Sequence, residues 1–238
     1  MTPAFAYLQA RLQARHGQRL DEHGWHRLEM VMPYRLFLRN ARETTLASWL
    51  QTVSEQDEPA LLEQRLRETL QQTILDLGHW SPPPWQEAIR WTRHLWLLPA
   101  WQHRWRGEPL PPGLTLPDDA ALQTLESAWR DGTPLLEGWL LHWQKLWPKQ
   151  HNKESRTLEQ LLLILQQHRQ LFGALPDPNA ARQARLLLQQ KLREHFRRAS
   201  GMPAAIFTYL ALLALDWERL RGNLLVRALY HDSAEETQ

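Results

Sequence analysis

Leucine outnumbers the β-branched aliphatic residues so heavily that a sheet-built fold is close to excluded: 46 Leu stand against 4 Ile and 3 Val. Strands favour β-branched side chains, whereas helices favour Leu, Gln, Arg and Glu, which fill this chain. The expected class is all-α. With 43% hydrophobic and 23% charged residues the chain can bury a sizeable core. Its 238 residues suit one body, possible as two related halves.

Proline and glycine mark where the helices stop. Phe5, Leu8 and Leu12 recur at helical spacing between Pro3 and Gly17. A second helix is predicted from about Asp21 to Met32, before Pro33. Thr44 or Thr45 can cap a short helix through Trp49, Leu50 and Val53, because a hydroxyl accepts from first-turn amides. Asp57 before Pro59 opens a long helix, with Leu62, Leu66, Leu70, Ile74 and Leu77 on one stripe and Gly78 at its end. A Trp-rich helix follows Pro82-Pro83-Pro84 and reaches Gly107, kinked or broken at Pro99. Further helices are predicted over about 118–130, 135–147, 157–172, 180–199 and 203–231, with a polar connector from Pro148 to Ser155. The total is about ten helices in two loosely repeated halves, roughly 1–112 and 113–231, followed by an acidic disordered tail over 232–238. The boundary is set by Gly107 to Pro117, which holds four prolines and two glycines. The repeat rests on Ala88-Ile89 with Trp101 to Gly107, against Ala205-Ile206 with Trp217 to Gly222.

Several kinds of chemistry lack the residues they need. Cysteine is absent, which removes disulfides, thiolate nucleophiles and cysteine-ligated metal centres. A Walker A loop, a dinucleotide glycine fingerprint, a Gly-x-Ser-x-Gly elbow and the zincin spacing are all missing. The tightest group of candidate metal ligands is Asp21, Glu22, His23 and His26, for which a hydrated helix start outweighs a metal site. No catalytic group, cofactor or metal is expected. The apolar stretch from Met202 to Leu215 has 14 residues, short of the roughly 20 that span a bilayer, and reads as a buried core helix. No basic leader with an apolar core opens the chain, which favours the cytoplasm.

Three regions could bind something. Ten of the 13 Trp lie between Trp80 and Trp147, among Arg90, Arg93, His94, Arg104 and Arg106. Base stacking is conceivable, but Trp139, Trp143 and Trp147 fall four apart, as in a core-facing stripe, and core packing is favoured. A basic, oily helix carries Arg182, Arg185, Lys191, Arg193, Arg197 and Arg198, balanced within itself by Glu194 alone. A net charge of +2 makes nucleic acid an unfavoured partner. In the last helix Asp216 can reach Arg219 and Glu218 can reach Arg221, while Trp217 lies one turn before Arg221. Such a dense set reads either as bridging between packed helices or as a docking surface.

The segment Ala6-Tyr7-Leu8-Gln9-Ala10-Arg11-Leu12-Gln13-Ala14-Arg15 resembles the opening helix of the C subunit of A-type and V-type rotary ATPases, subunit d in eukaryotes. Ile206 to Gly222, through Tyr209, Asp216, Arg219 and Arg221, resembles that family's closing apolar helix, and Trp101 to Gly107 looks like another copy. The resemblance implies an all-helical, non-catalytic central-stalk subunit, cytoplasmic and peripheral to the membrane through its partners, the rotor ring and the axle. Proton or sodium transport would pass through the ring. The candidate partner-binding positions are Arg104, Arg106, Trp217, Arg219 and Arg221. This chain is shorter than the family's usual length by about one repeated unit, and it carries Asp216-Trp217-Glu218 where the family places a glutamate- and asparagine-rich stretch. The alternative is a helical adaptor or nucleic-acid-binding protein of the same fold.

Overall fold

The computed structural model describes residues 3–110, 114, 116–117, 120–149, 152–173 and 177–235. Among these residues the protein is all-α, with eleven α-helices and three 3-10 segments. The chain divides into two compact units, and the first is discontinuous: residues 1–50 join 149–238, while 51–148 form the second. This differs from the expected halves at 112/113. The expected boundary itself, at 112/113, lies outside the described residues; a unit is defined by which helices bury each other's faces, and here the two ends of the chain do so.

The first unit holds α1 (Pro3–Gln18), α2 (Glu22–Glu29), α3 (Tyr34–Arg42), a 3-10 turn (Thr45–Trp49), α9 (Asn152–Phe172), α10 (Pro178–Arg198) and α11 (Pro203–Glu235). Residues 203–210 of α11 are buried on every side, as a helix apolar all round must be. Helices α1, α3, α9 and α10 pack on it. No described helix is long and apolar enough to cross a membrane. His195 of α10 fixes the layers: its Nδ1 lies 2.9 Å from Thr208 Oγ1 on α11, and its Nε2 lies 3.0 Å from the Thr157 carbonyl on α9. Burial first, and then Arg198, hold its pKa below the ordinary imidazole value despite the carbonyl bond. A carbonyl can only accept, so the bond to Thr157 is donated from Nε2, while the Thr208 hydroxyl donates to the Ala204 carbonyl at 2.6 Å.

Several local expectations shift here. Helix α3 is an addition to the predicted set, with Pro33 at its N-cap. Thr44 caps as expected, accepting from Leu46 N at 3.2 Å, but the short helix is 3-10 and ends before Val53. Helix α9 starts at Asn152, inside the predicted connector. Helix α11 runs through Glu235, four residues into the expected tail; 236–238 lie outside the described residues.

The second unit holds α4 (Pro59–Trp80), a 3-10 turn (Pro83–Trp85), α5 (Gln86–Trp91), a second 3-10 turn (Thr92–Leu97), α6 (Leu98–Trp105), α7 (Ala120–Arg130) and α8 (Leu135–Lys145). The α4 stripe of Leu62, Leu66, Leu70, Ile74 and Leu77 is buried throughout. Asp57 does not cap this helix; it accepts from Ser54 N at 2.6 Å and from Arg65 at 2.8 Å, bracing the loop before it. Pro99 falls in the first turn of α6, where a missing amide hydrogen costs nothing, and the irregularity is the 3-10 turn before it.

Tryptophan builds this core. Trp91 lies 6.4 Å from Trp139, Trp139 5.8 Å from Trp143, and Trp143 4.9 Å from Trp147. Trp143 Nε1 donates to the Ala88 carbonyl at 3.0 Å, and Trp91 Nε1 donates to the Trp139 carbonyl at 3.3 Å. None of the ten tryptophans from Trp80 to Trp147 is exposed. Core packing accounts for the stripe.

Candidate docking face of the first unit

Charged contacts between α11 and the helices around it build this face. Arg19, just past α1, grips Asp216 with two bonds, Nε to Oδ2 at 2.6 Å and Nη2 to Oδ1 at 2.9 Å, and also donates to the Leu212 carbonyl at 3.2 Å. Both side chains are only 6% exposed. Burial pushes the Asp216 carboxyl above its ordinary value, and the bonds from Arg19 offset this only in part. The pair is a costly one to bury, kept in place by its bidentate geometry.

One turn further along, Arg219 is held by two carboxylates of α2. Its Nε and Nη2 meet Glu29 at 2.6 and 2.8 Å, and its Nη1 and Nη2 meet Glu22 at 2.7 and 2.9 Å. The guanidinium lies over the Trp25 ring, 4.9 Å from its centroid. Burial alone would lower the Arg219 pKa and raise that of Glu29. The mutual hydrogen bonds and charge outweigh it, so Arg219 lies above its usual value and Glu29 below. Arg227 then closes the open end of α2, donating to the carbonyls of Glu29 and Val31 at 2.9 Å each. Cations at a helix C-terminus satisfy orphan carbonyls and oppose the dipole.

The predicted local pairs are thus replaced by tertiary ones. Asp216 binds Arg19 rather than Arg219, and Glu218 meets Arg185 of α10 at 3.1 Å. An exposed helical i,i+3 pair is worth only about 0.5 kcal/mol, too little to compete with a bidentate partner from another helix. The Trp217–Arg221 stack does form, with the guanidinium 5.8 Å from the ring centroid. Arg104 and Arg106 are exposed at the end of α6 in the second unit, so the structure does not collect the five predicted positions into one site. The two similar segments also differ in backbone. Gly107 has φ +79 and ends α6, with Gly107 N donating to Arg104 and Glu108 N to His103, whereas Gly222 lies inside α11.

Arg182 and Arg185 of α10 are answered by Glu22 at 3.9 Å and Glu218 at 3.1 Å, and Arg198 by Glu194 at 3.7 Å. Two of its six cations are therefore answered from neighbouring helices, and Arg198 from within α10 itself. His23 and His26 are exposed; Asp21 caps α2 by accepting from Gly24 N at 2.7 Å, and Glu22 is committed to Arg219. Among the described residues no three His, Cys, Asp or Glu side chains are grouped to hold a metal ion.

Between α10 and α11 these charges border an open groove of about 560 Å³. Its lining includes Leu186 and Val226, both exposed, together with Ala181, Gly222, Arg182 and Arg227. The apolar members were readable from the helical pattern. Their union with Glu29 of α2 was not, because that depends on where the first and last fifty residues of the chain meet. No family model matches this chain, and no curated protein or solved structure matches it either.

Proposed function

We propose that this protein is a non-catalytic helical coupling subunit that works by docking other proteins, in the form its sequence resemblance implies: a central-stalk piece between the rotor ring and the axle of an A/V-type ion-translocating ATPase. The observation that carries the docking reading is the α10–α11 groove, an open surface lined by Ala181, Leu186, Leu215 and Val226 among charged residues, whose α11 wall is tied to α2 by Arg219 and Arg227. A coupler needs a body that keeps its shape under load and charged surfaces that set register. The rotary-ATPase form rests on the segments 6–15 and 206–222, which meet in one unit where α1 packs on α11. Such a subunit would be cytoplasmic and peripheral to the membrane through its partners.

Affinity purification from native membranes with mass spectrometry tests this reading. Recovery of catalytic ATPase subunits and ring with the protein is the expected result, weakened by Arg182→Glu plus Arg185→Glu, both on the groove rim. A clean monomer without those subunits would overturn it. Arg219→Glu is a poor probe of docking, because it would place a carboxylate against Glu22 and Glu29. A second reading, binding to nucleic acid, is favoured only by the exposed Lys191 and Arg197 of α10. It requires duplex binding that weakens by about 0.9 log unit per phosphate contact for each log unit of salt.

A further inference from the structure

We infer that the joint where the C-terminal end of α10 meets α1, α9 and α11 is an acid-sensitive switch, closed while the rings of His16 and His195 are both neutral and loosened when they take up protons. Such a switch is independent of what the α10–α11 groove binds. The two rings meet α10 at consecutive residues. His195 belongs to that helix, and His16 of α1 stacks on Phe196 with centroids 4.6 Å apart and planes 15° apart.

Neither ring has a favourable place for a positive charge. His195 is only 4% exposed. Its Nε2 donates to the Thr157 carbonyl of α9, and its Nδ1 faces the hydroxyl oxygen of the buried Thr208 on α11. A second proton, on Nδ1, could be donated to that oxygen, but one bond to a neutral hydroxyl does not offset a cation taken out of water. At His16 the geometry is harsher. Its Nε2 is buried with no hydrogen-bond partner among the described residues. The charged ring carries a hydrogen on both nitrogens, so protonation leaves a buried N–H unanswered there.

The charges around the joint have the wrong sign to help. Burial first, then Arg19 of α1 with Arg193 and Arg197 of α10, hold His16 below the ordinary imidazole value of 6.5. Arg198 acts in the same sense on His195, its charge met by Glu194 only at 3.7 Å. Helix α9 brings the Thr157 carbonyl, while its charges Glu154, Arg156 and Glu159 do not shift His195 appreciably. Helix α11 brings Tyr209 and Asp216. Burial pushes the Tyr209 hydroxyl upward, where it also meets Arg15 of α1, and both Asp216 oxygens are bonded to Arg19. No carboxylate of these helices acts on either imidazole. Below pH 6.5 the unfolded or released ring binds a proton that the packed ring refuses, so the closed joint weakens by up to about ten-fold per pH unit for each ring.

Hydrogen exchange of the full chain, read by mass spectrometry and corrected for intrinsic rates, tests this. Between about pH 7.5 and about pH 5.5, protection over 190–199 is expected to fall at least ten-fold, while that of 62–77 in α4 changes less than three-fold. His16→Phe combined with His195→Gln keeps a ring on Phe196 and a donor for Thr157 but titrates at neither position. This variant is expected to hold its 190–199 protection within three-fold over the same range. The parent gives a second readout: the imidazole resonances of His16 and His195 titrate at lower pH than those of the exposed His23 and His26. No loss of protection in the parent, an equal loss in α4, or rings that titrate together with His23 and His26 would each overturn the switch. So would an equal loss in the double variant, which assigns the effect to Asp216 or to His168 of α9, near Arg185. If the double variant does not fold, exchange and ring titration in the parent decide.

Discussion

The two units are held together by different physics. In the first, arginines reach across nearly the whole chain to carboxylates: Arg19 and Asp216 are 197 residues apart, and Arg219 and Glu29 are 190 apart. In the second, the links are indole rings. It contains ten of the 13 tryptophans, and two of them, Trp91 and Trp143, tie α5 to α8 through ring nitrogens bonded to backbone carbonyls. A discontinuous unit must fix the relative positions of distant segments, and bidentate guanidinium–carboxylate bonds define orientation as well as proximity. The continuous unit faces a smaller problem of register, and broad aromatic surfaces fill its core.

The sharpest break in this contrast is expected from the buried pair. Arg19→Ala leaves Asp216 charged and unpaired at 6% exposure, and is expected to cost about 3–5 kcal/mol in urea unfolding followed by circular dichroism. Replacing both partners with Met and Leu should recover most of that loss, as removing two buried charges removes their desolvation cost. A loss under about 1 kcal/mol for Arg19→Ala would show that the first unit does not depend on the pair.

Removing one carboxylate from the Arg219 cluster should cost less, since Glu29 is 24% exposed and Glu22 still binds the guanidinium. Glu29→Gln is expected to lower stability by about 1.5–3 kcal/mol. The pH dependence has a fixed sign. Glu29 lies below its ordinary value of 4.5 in the folded protein, so its contribution is present above that value and is lost as pH falls through the folded one. Asp216 is shifted upward and acts in the opposite sense, losing stability as pH rises through its window. Unfolding curves from pH 6 to about pH 3 should therefore fall less steeply for Glu29→Gln than for the parent. An unchanged slope would remove Glu29 from the account.

In the second unit the equivalent dissection separates ring from nitrogen. Trp143→Phe deletes a bonded Nε1 and leaves the Ala88 carbonyl without it, whereas Trp139 Nε1 is buried with no hydrogen-bond partner. Trp143→Phe should exceed Trp139→Phe in cost by about 1 kcal/mol, read by intrinsic fluorescence, which reports mainly this unit. Equal costs would show that packing alone decides. The smallest effect is expected at the exposed Arg185–Glu218 pair, where Glu218→Gln should change stability by less than about 1 kcal/mol and by still less at high salt.

How much of this was legible beforehand depended on distance along the chain. The α4 stripe and the tryptophan spacing repeat at three or four residues, a period that is a property of the helix itself, and the core character of 203–210 shows as a nearly unbroken apolar run. The Thr44 cap was readable for the same reason. Helix α3 is hidden in the proline pattern because Pro33, which ends the preceding helical segment, also serves as the start of the next. The Arg-Gly similarity between 104–107 and 219–222 misled because identical residue types took two backbone states, a helix end at Gly107 and a helix interior at Gly222.

Sequence alone therefore determined the all-α class, most helix spans and which faces are oily, because those follow from local sterics and apolar period. Only the tertiary structure decided which carboxylate each arginine meets, that both ends of the chain build one unit, and that Gly222 opens onto a groove. Ion pairing and open space depend on which surfaces meet across nearly two hundred residues, and no short-range pattern carries that information.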